Sequence, residues 1–249
     1  MENAMMVTEV KAISTWNNVL KCALRIPGAR VNRNDYLRKE LSKYCNDSIV
    51  CEIVNNGYRN ISLDSKILIR IADSTIAFHT GMAASISFAT GLPGGWWMAA
   101  TIPADLSQFY FHVIVVAQKL AYLYGWPAFD DEEPSDEFLA ILTLFIGVMS
   151  GTQAAVSAVG RLAEAFAGQV VKRLPQKALT KYGIYNIAKQ IAKWLGVSLT
   201  KTSFAKGVSK LIPVLGGMIS GVLTTASFLP MSKRLKNYLS ELPIASRRS

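Results

Sequence analysis

Three stretches of this 249-residue chain carry no Asp, Glu, Lys or Arg, and each is at least 22 residues long. They run from Ser74 to Ala104, from Phe138 to Gly160 and from Leu211 to Ser232. A helix of roughly 20 mostly apolar residues spans the hydrocarbon of a bilayer. Such a run is therefore either a membrane helix or a helix enclosed by protein on all sides. All three are rich in Ala, Gly, Ser and Thr, a composition suited to helices packed closely on one another. We carry the membrane reading forward as the expectation.

The charges are segregated to match. Residues 1–70 have a net charge of +4, residues 71–160 of −7 and residues 161–249 of +13, giving +10 overall. Mean hydropathy is nevertheless positive, at +0.25. Disorder is excluded, because a disordered chain is poor in apolar residues. Cys22, Cys45 and Cys51 are odd in number and have no CxxC spacing, which argues against a disulfide framework or structural zinc. The Met1–Ala4 start has an early acid and no apolar core of a cleaved signal, so the amino terminus is expected in the cytoplasm. These contrasts divide the chain into a basic helical region at 1–70, apolar channel helices at 71–160, a basic ligand-facing region at 161–210 and an apolar helix with a basic tail at 211–249.

Local signals predict helices throughout. Residues 5–22 have helical spacing that ends at Ile26-Pro27-Gly28. Asn34 is the expected N-cap of the helix through Tyr36 and Leu41. A helix over about 46–56 stops at Gly57. Asp64 to about Thr90 reads as one long helix, and Gly91-Leu92-Pro93-Gly94-Gly95 as a turn. Trp96 to Tyr124 reads as the next helix, and its closing Tyr122, Tyr124 and Trp126 fit either an interfacial aromatic belt or an ordinary soluble core. An acidic loop follows at 130–137, with Ser135 capping a further helix. Gly147/Gly151 and Gly217/Gly221 are two GxxxG patterns inside charge-free runs.

Two polar stripes are expected. Thr101, Asp105, Gln108 and His112 are spaced 4, 3 and 4 and fall on one helix face, which continues to Lys119. Ser150, Gln153, Ser157, Arg161 and Glu164 do the same on the following helix. In a bilayer such a face must meet other protein or water, so Thr101, Asp105, Gln108, His112, Ser150, Gln153 and Ser157 are expected to line a pore, with acids favouring cations. The competing reading is an ordinary hydrogen-bonded network between helices.

Basic residues mark a second region. Lys172, Arg173, Lys177, Lys181, Lys189, Lys193, Lys201, Lys206 and Lys210 are interleaved with Trp194 and other aromatics, and Arg30, Arg33, Arg38 and Lys39 precede the first polar helix. Three readings remain open: contact with anionic lipid, binding of single-stranded nucleic acid by phosphate pairing and stacking, and a solvated face. With only His79 and His112 as histidines and no HExxH or GxSxG motif, no catalytic residue, metal or cofactor is expected.

The chain resembles the EcsC family. The residues that carry the likeness are Val31–Leu41, Gly91–Gly95, Ile102–Gln108 with its Pro103-Ala104-Asp105-Leu106, Ala117–Pro127 ending Tyr124-Gly125-Trp126-Pro127, and Leu211–Gly217. The resemblance implies an all-helical, membrane-associated bacterial protein. Some similar proteins are channel-forming effectors in anti-phage defence, paired, in the Hailong type, with a nucleotidyltransferase whose product is a DNA oligomer. On that basis a pore role extends to Asp105.

The expectation is thus an all-α, membrane-associated bundle with apolar hairpin-like helices and basic cytoplasmic helices in the bacterial inner membrane. It would assemble as a homo-oligomer such as a tetramer and form an ion channel gated by an anionic ligand, a single-stranded DNA oligomer. Its partners would be lipids, other copies of itself, the oligonucleotide and a nucleotidyltransferase encoded nearby. The alternative is a peripheral lipid-binding or scaffolding bundle without a pore.

Overall fold

The chain was examined as a computed structural model, which describes residues 2–58, 61, 63–91, 98–129, 135–167, 183–209 and 213–246. Within these, side chains are described for 9–58, 61, 63–86, 107–129, 135–167, 183–198 and 221–244. The expected turn at 92–95 and most of the acidic loop lie outside the described residues.

The protein is all-helical. In chain order the elements are α1 (Glu2–Leu24), α2 (Arg33–Leu41), α3 (Asp47–Asn56), α4 (Ser65–Gly91), α5 (Met98–Leu123), α6 (Asp136–Met149), α7 (Gln153–Ala167), α8 (Ile184–Ser209), α9 (Pro213–Glu241) and α10 (Pro243–Ser246). Short polar side chains set several starts by accepting backbone N–H groups that have no helical partner. The Asn46 side chain accepts from Ile49 N at 3.0 Å, and Ser135 from Phe138 N at 3.2 Å. For α2 the cap is Asn32, which accepts from Asp35 N at 3.0 Å, rather than the expected Asn34. Arg33 already has helical geometry, so Asn34 falls inside the first turn. Gly57 closes α3 with φ of 72°, a left-handed value that glycine adopts without steric cost.

One core unites the chain, running from Trp16 through Phe145 to Leu239 and Leu242. At its centre lies α6, in which every residue from Phe138 to Met149 is buried. It packs on α5, α7, α8 and α9. The first half of the charge-free run, Phe138–Met149, is therefore enclosed by protein. The whole run is also not one helix. Ser150, Gly151 and Thr152 turn the chain between α6 and α7, with Gly151 at φ 82° and Thr152 N donating to Gly147 O at 3.0 Å. The two glycines of this GxxxG thus play separate parts. Gly151 makes the turn, while at Gly147 a Cβ would meet the Ala155 Cβ at 2.7 Å and Ile191 Cγ2 at 3.1 Å. Of the two readings of the aromatic cluster, the structure shows the core: Tyr122, Tyr124 and Trp126 are at most 1% exposed. Trp126 meets Phe145 and Phe166 edge-on at 5.0 and 5.8 Å between ring centroids. The aromatics sit inside because the turn after α5 folds back over α6.

A second assembly pairs α4 with α9, and α5 packs against both. The Lys236 ammonium meets Asp73 at 2.7 Å, joining the C-terminal part of α9 to the N-terminal half of α4, as an antiparallel pair requires. The remaining halves, 74–91 of α4 and 213–232 of α9, carry no Asp, Glu, Lys or Arg and share one end of the pair. The last charge-free run is thus the first two-thirds of α9, which continues through Pro230 to Glu241. Among the described residues no helix is long and apolar enough to cross a membrane.

Candidate functional site

Where the charged and charge-free halves of α4 meet, against α5, three nitrogen-bearing side chains form a chain. His79 on α4 and His112 on α5 approach through their Nδ1 atoms, 3.0 Å apart. Lys119 Nζ, two turns further along α5, lies 3.0 Å from His79 Nε2. The ammonium also sits 5.8 Å from the centre of the Tyr36 ring of α2, within reach of a cation–π interaction. Tyr36 is buried, with its hydroxyl 3.4 Å from Thr75 Oγ1. Burial raises the Tyr36 phenol well above its ordinary value, so it stays neutral.

The contacts define the protons. A charged lysine can only donate, so His79 Nε2 accepts. The neutral His79 ring then carries its proton on Nδ1 and donates it to His112 Nδ1. His112 must in turn carry its own proton on Nε2, and that atom is buried with no hydrogen-bond partner among the described residues. Both rings resist a second proton. Burial, then the Lys119 charge, then His112 lower His79 to about 3. Burial and Lys119 lower His112 to about 4. Burial also lowers Lys119, which Glu40 partly offsets. Lys119 meets His79 on the ring edge opposite the Nδ1 pair, so the three nitrogens form a line and do not surround one ion. No group of three or more His, Cys, Asp or Glu is placed to hold a metal among the described residues.

Above this junction, the uncharged halves expose apolar side chains. Phe78 and Met82 on α4 are 62% and 42% exposed, and Val222 and Leu223 on α9 are 66% and 44% exposed. The outward positions between them are small or polar: Ala77, Gly81 and Ser85 on α4, and Ala226 and Ser227 on α9.

The expected pore face meets this geometry only in part. Thr101 and Asp105 lie on the α5 backbone with side chains outside the described residues. Gln108 is half-buried, and His112 is buried against His79. The second stripe does not form a single helix face. Ser150 ends α6, its hydroxyl donating to Ile146 O at 2.8 Å, whereas Gln153 and Ser157 begin the exposed side of α7 with Arg161 and Glu164.

The basic residues divide between elements. Arg33 is structural: its Nε donates to Trp126 O at 3.2 Å and its Nη1 to Val54 O at 3.0 Å. Arg30, Arg38 and Lys39 are exposed beside it. On α8, Lys193 pairs with Glu9 of α1 at 2.8 Å, Lys189 lies over the Tyr185 ring at 4.8 Å, and Trp194 is 46% exposed. Whereas α2 packs on α3 and α5, α8 packs on α1, α6 and α7, so the two basic groups belong to different faces of the fold. Lys172, Arg173, Lys177, Lys181 and Lys210 lie outside the described residues. Lys201 and Lys206 are on the α8 backbone, with side chains outside them.

Sequence reasoning noted His79 and named His112 and Lys119 on one stripe, but did not join them. Their i,i+7 spacing on α5 was visible, whereas the α4 partner required the hairpin. No family model matches this chain, and no curated protein or solved structure matches it. The likeness to the EcsC family therefore rests on the motifs.

Proposed function

We propose that the protein works at a membrane surface, with the charge-free ends of α4 and α9 resting in the lipid and the charged helices in water. The observation that carries this reading is the exposure of Phe78, Met82, Val222 and Leu223 on two helix halves that lack any Asp, Glu, Lys or Arg. Removing such side chains from water contributes about 1 kcal/mol or more each. Charge resumes at one level, with Asp73 on α4 and Lys233, Arg234 and Lys236 on α9, where lysine and arginine can reach anionic headgroups. The apolar surface is one-sided, because the inner faces of α4 and α9 are already packed: Ile76, Ala83 and Phe228 are buried. A one-sided surface suits a bundle lying in the interface.

The test is flotation of the purified chain with vesicles of phosphatidylglycerol and phosphatidylcholine. The wild type should float, and a Phe78→Ser/Met82→Ser/Val222→Ser variant with unchanged helicity should not. Flotation unaffected by these replacements would remove the surface from the role. Loss of a solution dimer on the same replacements, without any vesicle binding, would assign it to a second copy of the chain.

A second reading keeps the oligomeric ion channel gated by an anionic ligand such as a DNA oligomer, in anti-phage defence. It is favoured by Asp105, the one acid on α5 between Met98 and Gln118, since an acid within an apolar helix end is costly unless it faces water or protein. Ion flux from dye-loaded vesicles tests it: flux in the wild type that is lost in Asp105→Asn supports the channel, and binding without flux leaves the peripheral bundle.

A further inference from the structure

We propose that the His79–His112 contact is an acid-operated latch between α4 and α5, which holds the uncharged helix ends in their packed arrangement until the pair takes up a proton. The inference concerns control of the surface described above and rests on that reading only for its consequence at the membrane.

The geometry carries the argument. Two Nδ1 atoms 3.0 Å apart can share one proton between them and no more. A proton added to the accepting His112 Nδ1 would place two N–H groups head to head and give the ring a positive charge. Among the described side chains no carboxylate acts on either ring, while Asp105, on the same face of α5 as His112, has its side chain outside them. On α5, Lys119 adds a second cation, 3.0 Å from the His79 ring. On α2, Tyr36 is a neutral phenol, Lys39 is a further cation, and the Glu40 carboxylate is paired with Lys43 at 2.6 Å. On α4, Asp73 is paired with Lys236 of α9 at 2.7 Å. The forces acting on both rings are burial and positive charge. A second proton is therefore accommodated by separating the rings, which parts α5 from α4, the helix whose far end is charge-free.

The sign follows from linkage. The closed arrangement binds the extra proton weakly, whereas in an opened one each ring recovers the ordinary histidine value of about 6.5. Acid therefore favours opening, by about tenfold per pH unit for each ring below that value until the closed form itself titrates. Near pH 7 and above, the latch is indifferent to pH.

Because the chain has only two histidines, histidine-selective 15N labelling of the full chain reports both rings without ambiguity. In solution without lipid at pH 7, both should be neutral, His79 with its proton on Nδ1 and His112 with its proton on Nε2. On acidification both should titrate below the ordinary histidine range. Amide exchange, corrected for its intrinsic pH dependence, should lose at least about tenfold protection around 76–83 and 109–116 before α6 loses any. His112→Leu should keep these amides protected at the lower pH. Ordinary titration of both rings, or α4 and α5 amides that open only together with α6, would overturn the latch. The wild-type measurement decides the matter even if the variant does not fold. Vesicle flotation, run in parallel, separates the two claims. Opening in solution without flotation at any pH sustains the latch and overturns lipid docking, and flotation without the exchange signature does the reverse.

Discussion

Two stretches of this chain share one sequence signature and meet opposite surroundings. Phe138–Met149, all of α6 but its first two residues, is buried by α5, α7, α8 and α9. The charge-free half of α9, together with that of α4, leaves Phe78, Met82, Val222 and Leu223 in the open. Lack of charge thus shows that a segment is not surrounded by bulk water on all sides in its working state. It does not show whether protein or something else provides the cover. In α6 the cover is visible, and in α4 and α9 it is half supplied by the pairing of the two helices.

The sharpest way to break this contrast is a matched pair of truncations. Phe145→Ala, which removes a fully buried ring packed on Trp126 and Phe129, should destabilise the chain by about 3–5 kcal/mol in denaturant unfolding. Phe78→Ala should change stability by no more than about 0.5 kcal/mol. Equal effects would mean that the α4 surface is covered in the folded protein.

Next in size is Gly147→Val. Even a Cβ at this position lies 2.7 Å from that of Ala155, so α6 and α7 would have to part, at about 1–3 kcal/mol. Gly28→Ala, where nothing lies within 4 Å but φ is 84°, should cost about 1 kcal/mol from backbone strain alone. A Gly147 variant milder than the Gly28 one would show that α7 can shift freely.

Acid provides a comparison between the regions in one molecule. His79 and His112 remain neutral in the folded chain down to about 3 and 4, whereas the unfolded chain takes up these protons near 6.5. Below that pH the unfolded state holds more protons, so stability conferred by the pair is complete above about pH 7 and declines as pH falls towards 4. Replacing both rings should flatten the profile of unfolding midpoints between pH 7 and 4.5. A small effect is also expected of Lys236→Ala. Its partner Asp73 is half exposed, and such pairs contribute at most about 1 kcal/mol.

Much of the helix plan was legible. Ser135 as a cap, Gly57 as a stop and the long helix from about residue 65 to 90 all follow from local chemistry, and local chemistry is what decides helix ends. The break at 150–152 was missed because Gly147 and Gly151 were read together as an interface motif, which hid the turn at Gly151. Spacing alone leaves Tyr122, Tyr124 and Trp126 open to a membrane interface or a core, because cover such as that of Trp126 comes from Phe145 and Phe166, farther along the chain. Gly196 gave no signal at all, although a Cβ there would land on the Ala12 carbonyl where α1 crosses α8. The candidate site was half legible. His112 and Lys119 share a face by spacing alone, while His79 joins them only when α4 folds back on α5.

The sequence by itself determined that this chain is helical, that its charges are segregated and that it holds only two histidines. These follow from composition and from periodicities set within a few residues. Only the tertiary structure decided which charge-free run is enclosed and which is open, and that the two histidines meet across a single proton. Burial and side-chain encounters depend on which helices pack together, and that choice is made by the sum of many weak apolar contacts across the whole chain.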